Sequence, residues 1–304
     1  MKFDRRTFIK KTGATAAGVG LLSAFPSLLF GYDNKPFNIS LAEWSLHKAL
    51  NAGEMNNLDF PVMAKNDYGI NAIEYVSSFF KNEVKDKNYL KQLKQVCADN
   101  GVKSLLIMVD GEGQLGNANK EARKTAVENH YKWVNAAVFL GCHSIRVNAG
   151  GQGSPEELAK AVVDGLGSLT EYGAENKINI IVENHGGYSS NGKWLSDVIS
   201  KVNNPYCGTL PDFGNFNISG TEQYDRYKGI KELMPYAKGV SAKSYDFDDE
   251  GNETMMDFYR ILNIVKESGY KGYIGIEYEG SKLSEHDGIL ATKALLEKVM
   301  AEMQ

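Results

Sequence analysis

The chain has 304 residues, of which 42% are hydrophobic and 24% charged, and its formal net charge is −4. This composition is typical of an ordinary globular protein and excludes the collagen-like, disordered and disulfide-scaffold classes. The acidic balance and the lack of a basic stripe give no electrostatic reason to hold a polyanion, so we predict no nucleic-acid partner.

The first 35 residues resemble an export signal. A positively charged start contains the pair Arg5 and Arg6, and a mildly apolar stretch rich in Ala, Gly and Leu follows over residues 12–30. The arginine pair ahead of weak hydrophobicity is similar to a twin-arginine signal. We therefore predict that residues 1–35 are an export segment recognised by the twin-arginine machinery, and that residues 36–304 form the exported, periplasmic domain. Retention through an uncleaved signal as a membrane anchor stays open.

Eight short apolar runs rich in β-branched residues follow in order, and helical stretches separate them. These predicted strands cover residues 37–42, 70–76, 102–109, 143–149, 178–184, 207–213, 237–244 and 272–278. Apolar residues at helical spacing predict helices over residues 88–101, 118–140 and 155–177. Ser154 ahead of Pro155 is a capping residue followed by an N1 proline, which marks the start of the last of these helices.

The alternation of apolar strands with helices indicates a parallel sheet. Eight such strand–helix units in residues 36–304, after the export segment, match a single α/β domain, a (β/α)₈ TIM barrel. An open doubly wound sheet is the alternative. However, no G-x-G-x-x-G follows the first predicted strand, which disfavours the dinucleotide-binding version.

In such a barrel the chemistry lies at the carboxyl ends of the strands. The polar residues found there are Glu43, Trp44, Glu74, Asp110, Arg146, Asn148, Glu183, His185, Asp212, Asn215, Lys243, Glu277 and Glu279. Carboxylates crowded into a partly buried mouth repel one another, so positive charge must offset them. We predict a divalent cation there, with Arg146 and Lys243 contributing. We assign Glu279 to the outer face or the following loop, and so give it less weight than Glu277.

Four segments carry a resemblance to a known family. They read IIVENHGG, TLPDFGNF, GVSAKSYDFD and YIGIEYEG, and they stand in that order at the ends of predicted strands five to eight. Together they resemble the xylose isomerase-like barrels of the sugar isomerase and epimerase superfamily, over residues 37 to about 300. The resemblance implies a TIM barrel, a sugar substrate, and a manganese, magnesium, cobalt or zinc ion held by Glu, Asp, His and Glu. By position Glu183, Asp212 and Glu277 match the three carboxylates, and in that family the two Glu residues exchange protons with the sugar.

The sequence departs from the family pattern at the histidine ligand. Ser241 stands where the family has its strand-seven His, and Asn215 stands where a second His is often found. Serine is a poor divalent-metal ligand, so water fills the position, His185 takes it, or the site is weak. His185 follows Glu183 by two residues, and both side chains share a face if the strand continues.

These residue types suit proton transfer next to a carbonyl. Removing a proton α to a carbonyl creates an enediolate, and the barrier falls when a metal or lysine neutralises the oxyanion while a carboxylate or imidazole takes the proton. We predict an isomerase or epimerase acting on a non-phosphorylated sugar, since the site segments show no Arg cluster. The predicted catalytic residues are Glu183, Glu277, His185 and Lys243, and the predicted substrate-binding residues are Trp44, Glu74, Arg146, Asn148 and Asn215.

Three other functions stay open at this point. The first is a lyase or hydratase that acts on a 3-keto-glycoside through the same enolate. The second is a retaining glycosidase, whose two carboxyl groups lie about 5 Å apart with no metal between them. The third is a sugar-binding barrel that has lost catalysis with the strand-seven His. The sequence also leaves a homo-oligomer open.

Overall fold

The computed structural model describes residues 36–303, which form eight parallel strands surrounded by helices. The predicted export segment, residues 1–35, lies outside the described residues. The strands are β1 Asn38–Ala42, β2 Ala72–Val76, β3 Lys103–Met108, β4 Ser144–Val147, β5 Asn179–Glu183, β6 Cys207–Leu210, β7 Val240–Ser244 and β8 Tyr273–Tyr278. All eight predicted strands are confirmed, and the observed ones are shorter by at most three residues at either end.

The strands close into a barrel. Their order is β6-β5-β4-β3-β2-β1-β8-β7, and every pair is parallel. The ends of this order meet through parallel bridges, in which Thr209 pairs with Ala237 and Asp212 with Ser241. The Ser241 N–H donates to the Pro211 carbonyl at 2.9 Å across the same seam. The open doubly wound sheet is therefore excluded, because it would leave two unpaired edges.

Helices cover the outside of the barrel. They are α1 His47–Ala52, α2 Phe60–Asn66, α3 Lys87–Asn100, α4 Lys120–Leu140, α5 Pro155–Glu175, α6 Gly192–Val202, α7 Arg226–Leu233, α8 Phe258–Glu267 and α9 Glu285–Glu302. Helix α5 begins as predicted, because Ser154 caps it in a reciprocal capping box with Glu157. Within residues 36–303, no helix combines the length and the apolar character that a membrane crossing requires.

A small apolar cluster occupies part of the barrel interior. It consists of the buried residues Ala42, Val76, Leu106, Met108, Ile181 and Leu210. Trp44 and Phe79, on the short turns that follow β1 and β2, pack against this cluster. The main core lies between the sheet and the helices and includes the fully buried Trp133. The carboxyl ends of the strands thus have an aromatic wall at β1 and β2.

Gly275 makes room inside the barrel for a buried carboxylate. A Cβ at this position would lie 2.6 Å from Glu74 Oε1, and the Glu74 side chain is only 2% exposed. We expect Gly275→Ala to lower the free energy of unfolding by about 1–3 kcal/mol, because the crowded carboxyl cannot retreat. Gly167→Ala is the control, since nothing lies within 4 Å of its Cβ on α5. Urea denaturation should show no loss for the control, and equal stability of Gly275→Ala and wild type would contradict the prediction.

Candidate active site

Three buried carboxylates meet at the carboxyl end of the barrel. Glu183 ends β5, Asp212 follows β6 by two residues, and Glu277 lies one residue before the end of β8. One carboxylate oxygen from each lies within 4.8 Å of the other two, and the residues are 1%, 0% and 4% exposed. The strand ends therefore bring together the three residues that the sequence predicts as metal ligands. We call this group the carboxylate cluster.

Ser241 bridges two members of the carboxylate cluster from the position of the family's histidine. Its Oγ lies 2.8 Å from Asp212 Oδ2 and 3.0 Å from Glu277 Oε2. A hydroxyl has one hydrogen, so Ser241 shares it between the two oxygens, or donates to one and accepts from the other when that carboxyl group is protonated. Burial raises the pKa of Asp212 to about 7, whereas Lys243 and Arg146 outweigh burial and lower the pKa of Glu277. Of the two carboxyl groups that Ser241 contacts, Asp212 is therefore the one that is more readily protonated.

Two buried cations compensate the carboxylate cluster. Lys243 Nζ lies 3.1 Å from Glu277 Oε1 and 3.9 Å from Asp212 Oδ2, and its side chain is 2% exposed. Burial opposes its charge, but these carboxylates raise the pKa of Lys243 well above its usual value, so it stays protonated. Arg146 Nε lies 2.8 Å from Glu183 Oε2. The predicted contribution of both cations is thus matched by direct contacts.

Glu183 is held from two sides and titrates near neutrality. Besides Arg146 on Oε2, the Asn215 Nδ2 group donates to Glu183 Oε1 at 2.9 Å. Asn215 is itself fixed, because its backbone N–H donates to Asp212 Oδ1 at 2.8 Å. Burial raises the pKa of Glu183 to about 7, against the opposing charge of Arg146. A carboxyl group with this pKa can accept and return a proton at neutral pH.

Glu279 is a functional candidate to which the sequence alone gives less weight than to Glu277. Its Oε1 accepts a hydrogen bond from Trp44 Nε1 at 2.6 Å, and its Oε2 lies 3.5 Å from Lys243 Nζ. Glu279 lies one residue beyond β8, in the following loop as expected, but its side chain contacts residues at the mouth rather than facing outward. The E-x-E spacing with Glu277 is the signal in the sequence that points to this position.

We expect Glu279→Gln and Glu279→Ala to separate the two contacts of this side chain. The glutamine keeps an oxygen for Trp44 Nε1 but removes the charge that faces Lys243, so turnover should fall about tenfold with the tryptophan emission unchanged. The alanine variant removes both contacts. Its tryptophan emission should also shift to longer wavelength, because Trp44 Nε1 loses its hydrogen-bond acceptor. Identical spectra for both variants would contradict the Trp44 contact, and full turnover in the glutamine variant would contradict the Lys243 contact.

The remaining predicted residues lie around the carboxylate cluster rather than in it. Strand β5 ends at Glu183, so the expectation that His185 shares its face through strand alternation is wrong, and His185 is exposed in the following loop. Partial shielding from water and the charges of Arg146 and Lys243 lower the pKa of His185. Asn148 Nδ2 donates to Asp110 Oδ1 at 2.6 Å, beside Arg146. The catalytic role of His185 and the substrate contact of Asn148 stay predictions.

Glu74 lies one layer deeper in the barrel. It accepts a hydrogen bond from Ser40 Oγ at 2.6 Å and sits against Gly275, which precedes Glu277 by two residues on β8. Its other carboxylate oxygen is buried without a hydrogen-bond partner among the described residues. Burial raises the pKa of Glu74 to about 7, and the nearby Glu277 and Glu183 add to the rise. Its contact with substrate stays a prediction.

Glu74→Gln should become more stable relative to wild type as the pH rises. An unfolded Glu has a pKa near 4.3, so the folded protein with its pKa of about 7 binds more protons between these values. Wild type therefore loses this stability as the pH rises through 7, whereas the neutral glutamine has no charge to develop. We expect the difference in unfolding free energy, measured in urea with a chelator, to favour Glu74→Gln more at pH 8 than at pH 5. A constant difference would contradict the raised pKa.

Comparison with known proteins identifies relatives of two kinds. A family model described as xylose isomerase-like TIM barrel matches residues 64–299. A C-glycoside deglycosidase alpha subunit from Arthrobacter globiformis is 43% identical over 61 residues, which are 19% of this chain and 17% of that protein. A second C-glycoside deglycosidase alpha subunit, from Microbacterium trichothecenolyticum, is matched over 20% of its length. The chain thus spans about a fifth of the curated relatives it matches.

Several solved structures share the fold at low sequence identity. The IOLI protein with a bound zinc atom superposes with a TM-score of 0.67 at 16% identity, covering 88% of this chain and 99% of that one. A D-tagatose 3-epimerase-like protein gives 0.66 at 18% identity, covering 88% and 98%. The 3-keto-D-glucoside 4-epimerase YcjR from E. coli gives 0.62 at 15% identity, covering 87% and 99%. At these sequence identities the similarity shows a shared fold and nothing more specific.

Proposed function

The chain belongs to the xylose isomerase-like TIM barrel family, and from this premise we propose that it is a metal-dependent enzyme that moves a proton next to a sugar carbonyl. The reaction passes through an enediolate and yields an epimer or an aldose–ketose isomer of a non-phosphorylated sugar. The observation that carries the proposal is the carboxylate cluster, three buried carboxylates within 4.8 Å of one another at the carboxyl end of the barrel.

The donor atoms of the carboxylate cluster fit a hard divalent cation. Glu183, Asp212 and Glu277 would hold the ion, and Ser241 adds a fourth oxygen between two of them. An all-oxygen set favours magnesium or manganese over softer metals, because the nitrogen of the family's histidine is missing. Burial raises the pKa of Glu183 and Asp212 to about 7 even beside Arg146 and Lys243, and a bound divalent cation would favour their ionised forms. When bound, the metal would supply Lewis-acid stabilisation of the developing oxyanion.

The chain's own side chains account for the proton transfer. Glu183 accepts the proton from the carbon next to the carbonyl, since Asn215 donates to one of its oxygens, the Arg146 charge lies 2.8 Å from the other, and its pKa lies near 7. Glu277 is kept ionised by Lys243 and Ser241 and can serve the same carbon from a second direction. The ammonium group of Lys243 faces the carboxylate cluster and donates to the enediolate oxygen.

A lyase or hydratase that acts on a 3-keto-glycoside is the second candidate. The regional likeness to C-glycoside deglycosidase alpha subunits and the fold shared with a 3-keto-D-glucoside 4-epimerase support it. The first step is the same proton abstraction by Glu183, after which the enolate expels a group from the neighbouring carbon instead of being reprotonated. Both candidates need the same base and the same oxyanion stabilisation, so they differ in substrate rather than in site.

Deuterium exchange tests both candidates together. The protein is incubated in deuterated water with manganese and a panel of free ketoses and 3-keto-glycosides, and mass spectrometry and NMR locate any incorporated deuterium. Incorporation next to the carbonyl, abolished by a chelator and restored by manganese, is the expected result. Absence of deuterium at every carbon of every compound, together with no cleavage of any 3-keto-glycoside, would overturn both candidates and leave a sugar-binding barrel. Glycoside cleavage that survives the chelator would instead indicate a retaining glycosidase.

A further inference from the structure

A cavity of about 350 Å³ lies among loops at the end of the barrel that carries the carboxylate cluster. Residues 149–153, 186–188 and 218–222 contribute to its walls, and these segments follow β4, β5 and β6. They leave the barrel at the end that carries the carboxylate cluster. Gly186 is three residues beyond Glu183, so the two Cα atoms are at most about 11 Å apart. A molecule bound over the cluster can therefore extend into this cavity.

The walls of the cavity are fixed by hydrogen bonds. The Ser189 and Ser190 hydroxyls accept the N–H groups of His185 and Gly186, each at 2.9 Å. The Gly116 N–H, in the loop after β3, donates to the Gly150 carbonyl at 2.8 Å. Because both loops are held in place before any ligand arrives, little conformational entropy is lost on binding.

The cavity is lined for a neutral ring. Gly186 and Gly187 have φ angles of 83° and 59°, and a Cβ on either would meet nothing within 4 Å, so the space above their backbone is open. Tyr188 also lines the cavity, and its ring packs on Trp194 with 6.1 Å between the ring centroids. An aromatic face beside open backbone suits the apolar side of a sugar or an aryl ring.

The charge of the lining argues against a phosphate ligand. The lining residues include Leu158 and Ile218, the hydroxyl of Ser219 and the carboxylate of Glu222, and they include no Lys or Arg. A phosphate in this place would face a carboxylate without a compensating cation, which costs free energy. The composition therefore matches a neutral ligand with both apolar and hydroxyl surface.

We propose that this cavity binds the second ring of a glycoside, either a sugar or an aryl aglycone, while the reacting sugar lies over the carboxylate cluster. The inference rests on the proposed function and narrows it to substrates larger than a monosaccharide. It predicts that a ring attached to the reacting sugar adds affinity, and that the added affinity depends on Tyr188 and on free space next to Ser219.

Calorimetric titration tests the cavity without requiring turnover. The probes are methyl β-D-glucopyranoside, p-nitrophenyl β-D-glucopyranoside and cellobiose, each titrated into the manganese-loaded protein. We expect at least one two-ring probe to bind about tenfold more tightly than the methyl glucoside, since a stacked ring in a pocket contributes on the order of 1.4 kcal/mol. The aryl and sugar probes distinguish the two kinds of second ring.

Three variants assign this preference to the cavity. Ser219→Trp fills the space and Tyr188→Ala removes the aromatic wall, so both should bring the two-ring probes to within about twofold of the methyl glucoside. Tyr188→Phe keeps the ring and should retain the preference. Deuterium exchange into a free ketose should be unchanged in all three, because none of these residues touches the carboxylate cluster.

The outcomes distinguish failure of the second-ring inference from failure of the proposed reaction. Equal binding of one-ring and two-ring probes to wild type, or a preference that survives Ser219→Trp, would overturn the second-ring inference even if exchange occurs. A preference that is lost in Ser219→Trp and Tyr188→Ala, in a protein that shows no exchange, would support the cavity while overturning the proposed reaction.

Discussion

Glu277→Gln should lower the rate of deuterium exchange by about 10²–10⁴, the usual contribution of a positioned acid or base. Glu277 is 4% exposed, and Lys243 Nζ at 3.1 Å and Ser241 Oγ at 3.0 Å keep its carboxylate ionised and aligned. The amide has nearly the same shape but can neither accept nor return a proton, and it is a weaker metal ligand. Exchange is measured by mass spectrometry and bound manganese by elemental analysis of the same preparation.

Two measurements decide how the loss is interpreted. Affinity for an unreactive sugar probe should change by no more than about threefold, since the amide keeps the shape of the site and the loss falls on the transition state. Glu297→Gln, on the exposed face of α9, is the control and should exchange at the wild-type rate. Exchange that survives in Glu277→Gln would rule out this residue as a proton-transfer group. A wild-type protein that binds sugar without exchange would favour a binding barrel.

The strands were predictable because each one is a short apolar run set off by turn residues. In a parallel barrel every strand is buried on both faces, so the apolar signal is continuous and its boundaries are sharp to within three residues. The rule that barrel chemistry lies at the carboxyl ends of strands then selected Glu183, Asp212 and Glu277. Their meeting within 4.8 Å follows from closure of the sheet between β6 and β7, which no local pattern encodes.

The parts of the site that escaped prediction depend on where strands end and on distant contacts. His185 shares a face with Glu183 only if β5 continues, but the strand ends at Glu183 and the His185 side chain is exposed in the loop. The bond from Trp44 to Glu279 joins residues 235 positions apart in the sequence. The sequence predicts that Ser241 is a poor metal ligand, but it does not reveal that the Ser241 hydroxyl contacts the carboxylates of both Asp212 and Glu277. Such contacts need the three-dimensional arrangement of the strand ends.

Lys243→Met should destabilise the metal-free protein by about 3–5 kcal/mol, because it removes a buried cation and leaves its carboxylate partners unpaired. Lys243 is 2% exposed and lies within 4 Å of Glu277, Glu279 and Asp212. Water therefore cannot reach the site to solvate these carboxylates once the ammonium group is removed. The thermal midpoint is measured with a chelator, and Lys293→Met on α9 is the control, since its partner Glu297 is 43% exposed.

The same variant tests whether the carboxylate cluster binds a cation. In wild type the ammonium group of Lys243 and a metal ion compete for the charge of Glu277, so removing the ammonium should strengthen the attraction for the metal. We therefore expect manganese to raise the thermal midpoint of Lys243→Met by more than that of wild type, while deuterium exchange stays low because the donor to the enediolate oxygen is gone. A variant that is as stable as wild type in chelator would contradict the buried charge pairing. A variant that manganese does not stabilise would contradict the cation site, since three buried carboxylates beside one remaining cation, Arg146, should attract a divalent ion more strongly.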